Sequence, residues 1–173
     1  MGSRALMAVS TFTYTRTHTA AFVADHIRNQ LNRIIQAAGL SPAQLVDDWT
    51  VVGPAVRAWL QSGHLKVVTI EFYKPGSSTL QLRWDFPVTY DGSGVDDDMW
   101  VDRDHVQRTI EKVGRPPAGC VYRIILTSQR GRPDVAGMSS TSHLATTGLI
   151  SRSTGTAIAT RDITAGLNYW RPA

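Results

Sequence analysis

Residues 131–173 read GRPDVAGMSSTSHLATTGLISRSTGTAIATRDITAGLNYWRPA, and how this stretch is satisfied decides the fold. Seventeen of its forty-three residues are Gly, Ser or Thr, too many for a helix and many even for a loop. Yet Val135, Met138, Leu144, Leu149, Ile150, Ile158, Ile163, Leu167, Tyr169 and Trp170 recur along it, whereas a disordered tail is poor in such residues. Leu149-Ile150 and Ala157-Ile158 flank Ser153-Thr154-Gly155, a spacing that suits a short β-hairpin. The stretch reads as a long irregular strap that must lie against the rest of the chain.

Working outward from it, residues 120–128 form a strand with a nearly continuous apolar centre (Tyr122, Ile124, Ile125, Leu126). Before that strand, a helix is capped by Asp102 and carries Val106, Ile110 and Val113 on one stripe, with Val101 and Val106 as a hydrophobic staple and Gly114 as its stop. Residues 66–74 and 79–90 alternate as two antiparallel strands around Pro75-Gly76-Ser77-Ser78. On the second, Leu80, Leu82, Trp84 and Phe86 face one way and Gln81, Arg83 and Asp85 the other, with an edge or bulge expected at Pro87. Two helices precede the hairpin. The first carries Val23, Ile27, Leu31, Ile34 and Ile35 and is expected to start at Thr17 or Thr19 and stop at Gly39. The second has Ser41 as N-cap, Pro42 at its first position and Gln44 closing a capping box, and Gly53-Pro54 is expected to kink or split it. Residues 10–15 alternate Thr with aromatics and read as a short strand, and residues 1–9 as a flexible tail. Three amphipathic helices packed on one antiparallel sheet satisfy every stripe, an α+β fold.

At 173 residues the chain is expected to be a single domain with a sizeable core. Its net charge of +4 comes from scattered basic residues, which does not point to nucleic acid. The single cysteine, Cys120, excludes an internal disulfide; with no signal-peptide core and no membrane-length apolar run, a cytoplasmic protein is expected. His18, His26, His64, His105 and His143 have no ligand-like spacing, and neither a nucleophile elbow nor a phosphate loop occurs. One acidic loop over residues 91–98 gathers Asp91, Asp96, Asp97 and Asp98. It departs from the EF-hand pattern, with Asp96 where that pattern needs glycine; a metal-dependent nucleotide-processing enzyme built on these aspartates is the alternative reading. What the residues support instead is binding without a cofactor. An extended peptide can add to an open strand edge through main-chain hydrogen bonds, and the strand 121–127 directly precedes a strap able to close over it. Permanent covering of that edge by the strap is the other possibility.

Several strings together resemble the bacterial HORMA-domain family: Tyr14 and Thr15, Ala58-Trp59-Leu60 with Gly63 and Leu65, and Arg83-Trp84-Asp85. Gly131-Arg132-Pro133-Asp134-Val135 and Tyr169-Trp170-Arg171 continue the likeness. The resemblance implies a HORMA core over residues 10–128 and a C-terminal safety belt over 129–173 within the same domain. It implies a regulatory protein and not an enzyme, whose belt closes around a closure-motif peptide. The peptide-binding residues would be Val121, Tyr122, Arg123, Ile124, Ile125, Leu126 and Thr127 on the edge strand, with Val135, Leu149, Ile150 and Ile158 from the belt. Tyr169 and Trp170 would anchor the belt's end. The implied partners are a cGAS/DncV-like nucleotidyltransferase (CD-NTase) that makes cyclic oligonucleotides in CBASS anti-phage defence, an AAA+ ATPase that reopens the belt by pulling on the N-terminus, and a companion HORMA protein.

Overall fold

The computed structural model describes the backbone of residues 2–90 and 99–173 and the side chains from Arg16 onward. The acidic loop, with Asp91, Asp96, Asp97 and Asp98, lies outside the described residues. In chain order the elements are α1 (Gly2–Ala37), α2 (Ala43–Gln61), β1 (Leu65–Tyr73), β2 (Leu80–Thr89), β3 (Trp100–Val101), α3 (Arg103–Val113), β4 (Val121–Ser128), β5 (Leu149–Ala159) and β6 (Thr164–Pro172). The strands make one six-stranded sheet in the order β3-β5-β6-β2-β1-β4, and every neighbouring pair is antiparallel.

The expected stripes form the core. Val23, Ile27, Leu31, Ile34 and Ile35 of α1 pack with Trp59 and Leu60 of α2 and with the sheet face bearing Val68, Ile70, Phe72, Trp84 and Phe86. Asp102 caps α3 by accepting the backbone N–H of His105 at 2.9 Å, and Val106 of α3 is fully buried.

Four local expectations are corrected. Residues 10–15 are helical, and α1 runs unbroken from Gly2. Thr and aromatic residues are only about half a kcal/mol poorer than Ala in a helix, so a helix nucleated by the packed stripe extends through them at little cost. Thr19 is therefore internal rather than a cap, and its hydroxyl bonds back to the Arg16 carbonyl at 3.1 Å. The capping box of α2 does not form either. Ser41 Oγ accepts from Ala43 N at 3.2 Å, Pro42 takes the cap position, and the Gln44 side chain is engaged elsewhere. Next, of the kink or split expected at Gly53-Pro54 the split does not occur, since α2 continues past Pro54; burial of Val56, Trp59 and Leu60 beyond the proline outweighs one missing helical hydrogen bond. Finally, Ser153-Thr154-Gly155 is not a hairpin turn. It is an irregularity within the single strand β5, where the register with β6 shifts on either side of Thr156. The turn lies between β5 and β6, closed by Thr160 N donating to the Ile163 carbonyl at 2.9 Å.

The strap thus divides. Residues 129–148 cross the sheet as irregular chain, and β5 and β6 add to the edge opposite β4 through β2.

Candidate functional site

Crossing the sheet leaves β4, among the described residues, paired with β1 alone. In an antiparallel strand the N–H and C=O of one residue point to the same side, and that side alternates along the chain. Two bonds set the phase. Gln129 N donates inward to the His64 carbonyl at 2.7 Å, and the Tyr122 carbonyl accepts from outside the sheet, from Gln44 Nε2 at 3.1 Å. Tyr122, Ile124, Leu126 and Ser128 therefore turn their backbone groups toward the open edge, and Arg123, Ile125 and Thr127 toward β1.

Helix α2 stands beside that edge and is fixed there by Tyr122. The phenol accepts from Leu45 N at 3.0 Å and donates to the Ser41 carbonyl at 3.0 Å, replacing the missing capping box. Burial pushes the Tyr122 pKa up, only partly opposed by the Leu45 hydrogen bond, so the phenol stays neutral. The strap forms the remaining walls. It leaves β4 past Arg132, whose guanidinium lies 4.2 Å over the Trp59 ring, and the Pro133 carbonyl accepts Trp59 Nε1–H at 2.7 Å. At Gly137 it touches α2: φ is +86°, and a Cβ there would stand 2.9 Å from Val51 Cγ1, so both conformation and space call for glycine. It then returns over the other face of β4. Arg123 Nη2 donates to the Ser142 carbonyl at 2.5 Å and Nε to Glu71 Oε1 at 2.7 Å, while Glu71 Oε2 accepts Leu144 N at 2.9 Å. Glu71 is fully buried; a carboxylate removed from water is tolerable only with such partners.

Between these walls lies a groove of about 550 Å³, lined by Asp47, Asp48, Val51 and Val52 of α2, by Arg123 to Leu126 and Ser128 of β4, and by Arg132 and Gly137 to Thr141 of the strap. An unpaired strand edge encircled by its own chain, with the sequence strings that frame it, points to one family, and the family comparison agrees: the sequence matches the model described as Bacterial HORMA domain 2 over residues 6–173. The chain is a bacterial HORMA domain. Its fold is similar to a chain in the crystal structure of the mitotic checkpoint complex, with a TM-score of 0.71 at 9% identity, covering 90% of this chain and 99% of that one. It is also similar to E. coli MS115-1 HORMA-deltaN in complex with CdnC (TM-score 0.56, 16% identity, 89% of this chain and 87% of that one). A third likeness is to C. elegans HTP-2 bound to the HIM-3 closure motif (0.52, 16%, 69% and 67%). No curated protein sequence matches this one.

Of the residues named from the sequence, this HORMA domain brings Arg123, Ile124, Ile125 and Leu126 to the groove. Tyr122 instead points into the core, and Val121 is exposed beyond the Gln44 contact. Thr127 is half-buried, and Val135 packs on the core. Leu149, Ile150 and Ile158 are not at the groove. They lie on β5, with β6, β2 and β1 between them and β4, because the belt crosses the sheet and adds to its far side. Tyr169 and Trp170, on β6, both contact β2. The Tyr169 and Trp84 ring centroids are 5.8 Å apart, and Trp170 Nε1 donates to Asp85 Oδ2 at 3.1 Å. The sequence reading missed Gln44, Asp47, Asp48, Val51 and Met138 on the walls, and Trp59 and Glu71 as belt fastenings. Glu71, a lone carboxylate in the apolar strand LKVVTIEFY, was the available signal.

Proposed function

We propose that this HORMA domain is a regulatory clamp, not an enzyme, that closes its belt around a closure-motif peptide lying along β4. The observation that carries the reading is the open edge at Ile124 and Leu126 enclosed by α2 and residues 132–142 of the belt. Backbone pairing supplies affinity there and side-chain pockets supply selectivity. The closure motif bound by HTP-2 supports this ligand class. The E. coli CdnC:HORMA complex supports a CD-NTase as the partner of the closed form. In the proposed cycle the peptide-bound domain activates this synthase in cytoplasmic anti-phage defence, and an AAA+ ATPase acting on the N-terminal segment reopens it. A companion HORMA protein is one source of the peptide.

The test is reconstitution with a CD-NTase, following cyclic oligonucleotide formation with and without an excess of a peptide that the domain binds. Synthesis that rises only when domain and peptide are both present is the expected result. Activity unaffected by the domain in either state contradicts the regulatory role.

A further inference from the structure

The groove carries information about its ligand beyond the ability to pair with a strand, an inference that rests on the proposed clamp function. Gln44 Nε2 occupies the Tyr122 carbonyl, the first outward acceptor of β4. A peptide ladder can therefore use the outward groups of Ile124, Leu126 and Ser128 but stops short of Tyr122, which limits the paired stretch to about five residues.

The α2 wall beside this short ladder is chemically graded. Helix α2 and β4 run in the same direction, because Gln44 meets Tyr122 near the start of both and Trp59 meets Pro133 just past the end of β4. The acidic residues Asp47 and Asp48 consequently flank the Ile124 end, and Val51 and Val52 flank the Leu126 end. Asp48 accepts only a neutral amide, Gln44 Nε2 at 3.3 Å. No cation pairs with either aspartate among the described residues. The arginines on the groove leave this charge in place: Arg123 is neutralised by Glu71, and Arg132 sits past the far end, stacked on Trp59. A chain of net charge +4 thus presents a local negative wall where a ligand side chain would lie.

We propose that the closure ligand is a short extended segment carrying a Lys or Arg against Asp47 and Asp48, and an apolar residue two positions away against Val51, Val52 and Leu126. The two-residue spacing follows from strand geometry, since only alternate side chains face α2. The basic residue comes first or second according to the direction in which the peptide pairs. Opposite charges at such a rim act mainly on selectivity and association rate.

The experiment selects a displayed library of fully randomised nine-residue peptides on the full chain, and repeats the selection on Asp47→Asn/Asp48→Asn. Both positions are polar and surface-facing, so this variant is expected to keep its fold, and its melting curve checks that. The proposal expects wild-type binders enriched in a basic residue two positions from an apolar one. It expects the variant to select the apolar residue without the basic one, and to bind wild-type-selected peptides about tenfold more weakly at low salt. Binders enriched on wild type with no basic preference, or with a preference that survives in the variant, overturn the charge assignment while leaving the clamp intact. Failure to enrich any peptide overturns both.

Discussion

The two halves of the belt are held by different physics. Residues 129–148 touch the domain at separate points: Trp59 to Pro133, Gly137 on Val51, Arg123 to Ser142 and Glu71 to Leu144, with Val135 and Met138 partly buried against the core. Residues of β5 and β6 are joined by continuous backbone ladders, and Ala157, Ile158, Ile163, Ala165, Leu167 and Tyr169 are buried in the common core. Losing one fastening loosens the first half by about 1 kcal/mol or a few, whereas detaching the second half exposes the domain's own interior. The belt is therefore best regarded as an arc held at separate points in front of an anchor joined by continuous ladders. A chain ending at Ser128 would be missing β5 and β6, two of the sheet's six strands and part of its core, so its failure to hold a peptide would report unfolding and not loss of a clamp.

The largest effect that separates the halves is expected at the anchor. Tyr169→Ala removes a buried ring packed at a tilt against Trp84 and should cost about 3–5 kcal/mol of global stability, read as a lower denaturant midpoint. A loss confined to the belt, with the rest of the domain melting as before, would break the comparison by making β6 part of the arc.

A smaller and more local effect is expected at Glu71. Glu71→Ala leaves Arg123 without its carboxylate and Leu144 N without an acceptor, at a cost of about 2 kcal/mol. Amide exchange should accelerate at Leu144 and its neighbours in the arc while the β5–β6 amides stay protected. Equal acceleration in both halves would show that they open together.

The smallest belongs to Trp59→Phe, which keeps a ring in the core but deletes the N–H that holds Pro133. The expected change is about 1 kcal/mol, seen as peptide dissociation up to about fivefold faster with little change in melting. Unaltered dissociation would mean that the start of the arc does not help to retain ligand.

The contrast between the halves also explains what could be read from the sequence. The strands, helices and core stripes were legible because period-two and period-3.6 apolar patterns have local causes, as in Val68-Thr69-Ile70 and in Val23, Ile27 and Leu31. Residues 10–15 misled because β propensity is a weak local preference that an adjoining helix overrides. The resemblance implies an edge strand and a belt, and β4 does lie at the sheet's edge; it also implies Leu149, Ile150 and Ile158 beside the peptide, because sequence order gives no sign that the chain crosses to the far edge. The fastenings were hidden for a related reason. Gln44 to Tyr122, Trp59 to Pro133 and Glu71 to Leu144 are each separated by more than seventy residues, and no local rule connects them.

The central claim, that the arc encloses the ligand, is tested most directly by stapling it. A Cβ at Gly137 would lie 3.6 Å from Val51 Cβ, within the range a disulfide bridges, and Cys120 is buried and has no disulfide partner. Cysteine at φ +86° is strained by about 1–2 kcal/mol, so the Val51→Cys/Gly137→Cys protein is compared with its own reduced form. Association and dissociation of a peptide selected on the reduced protein are then measured with the staple formed before or after peptide addition. Enclosure predicts that a staple formed first blocks association, that one formed afterwards traps the peptide, and that reduction reverses both. Peptide entering and leaving the stapled domain at the rates of the reduced one would contradict it.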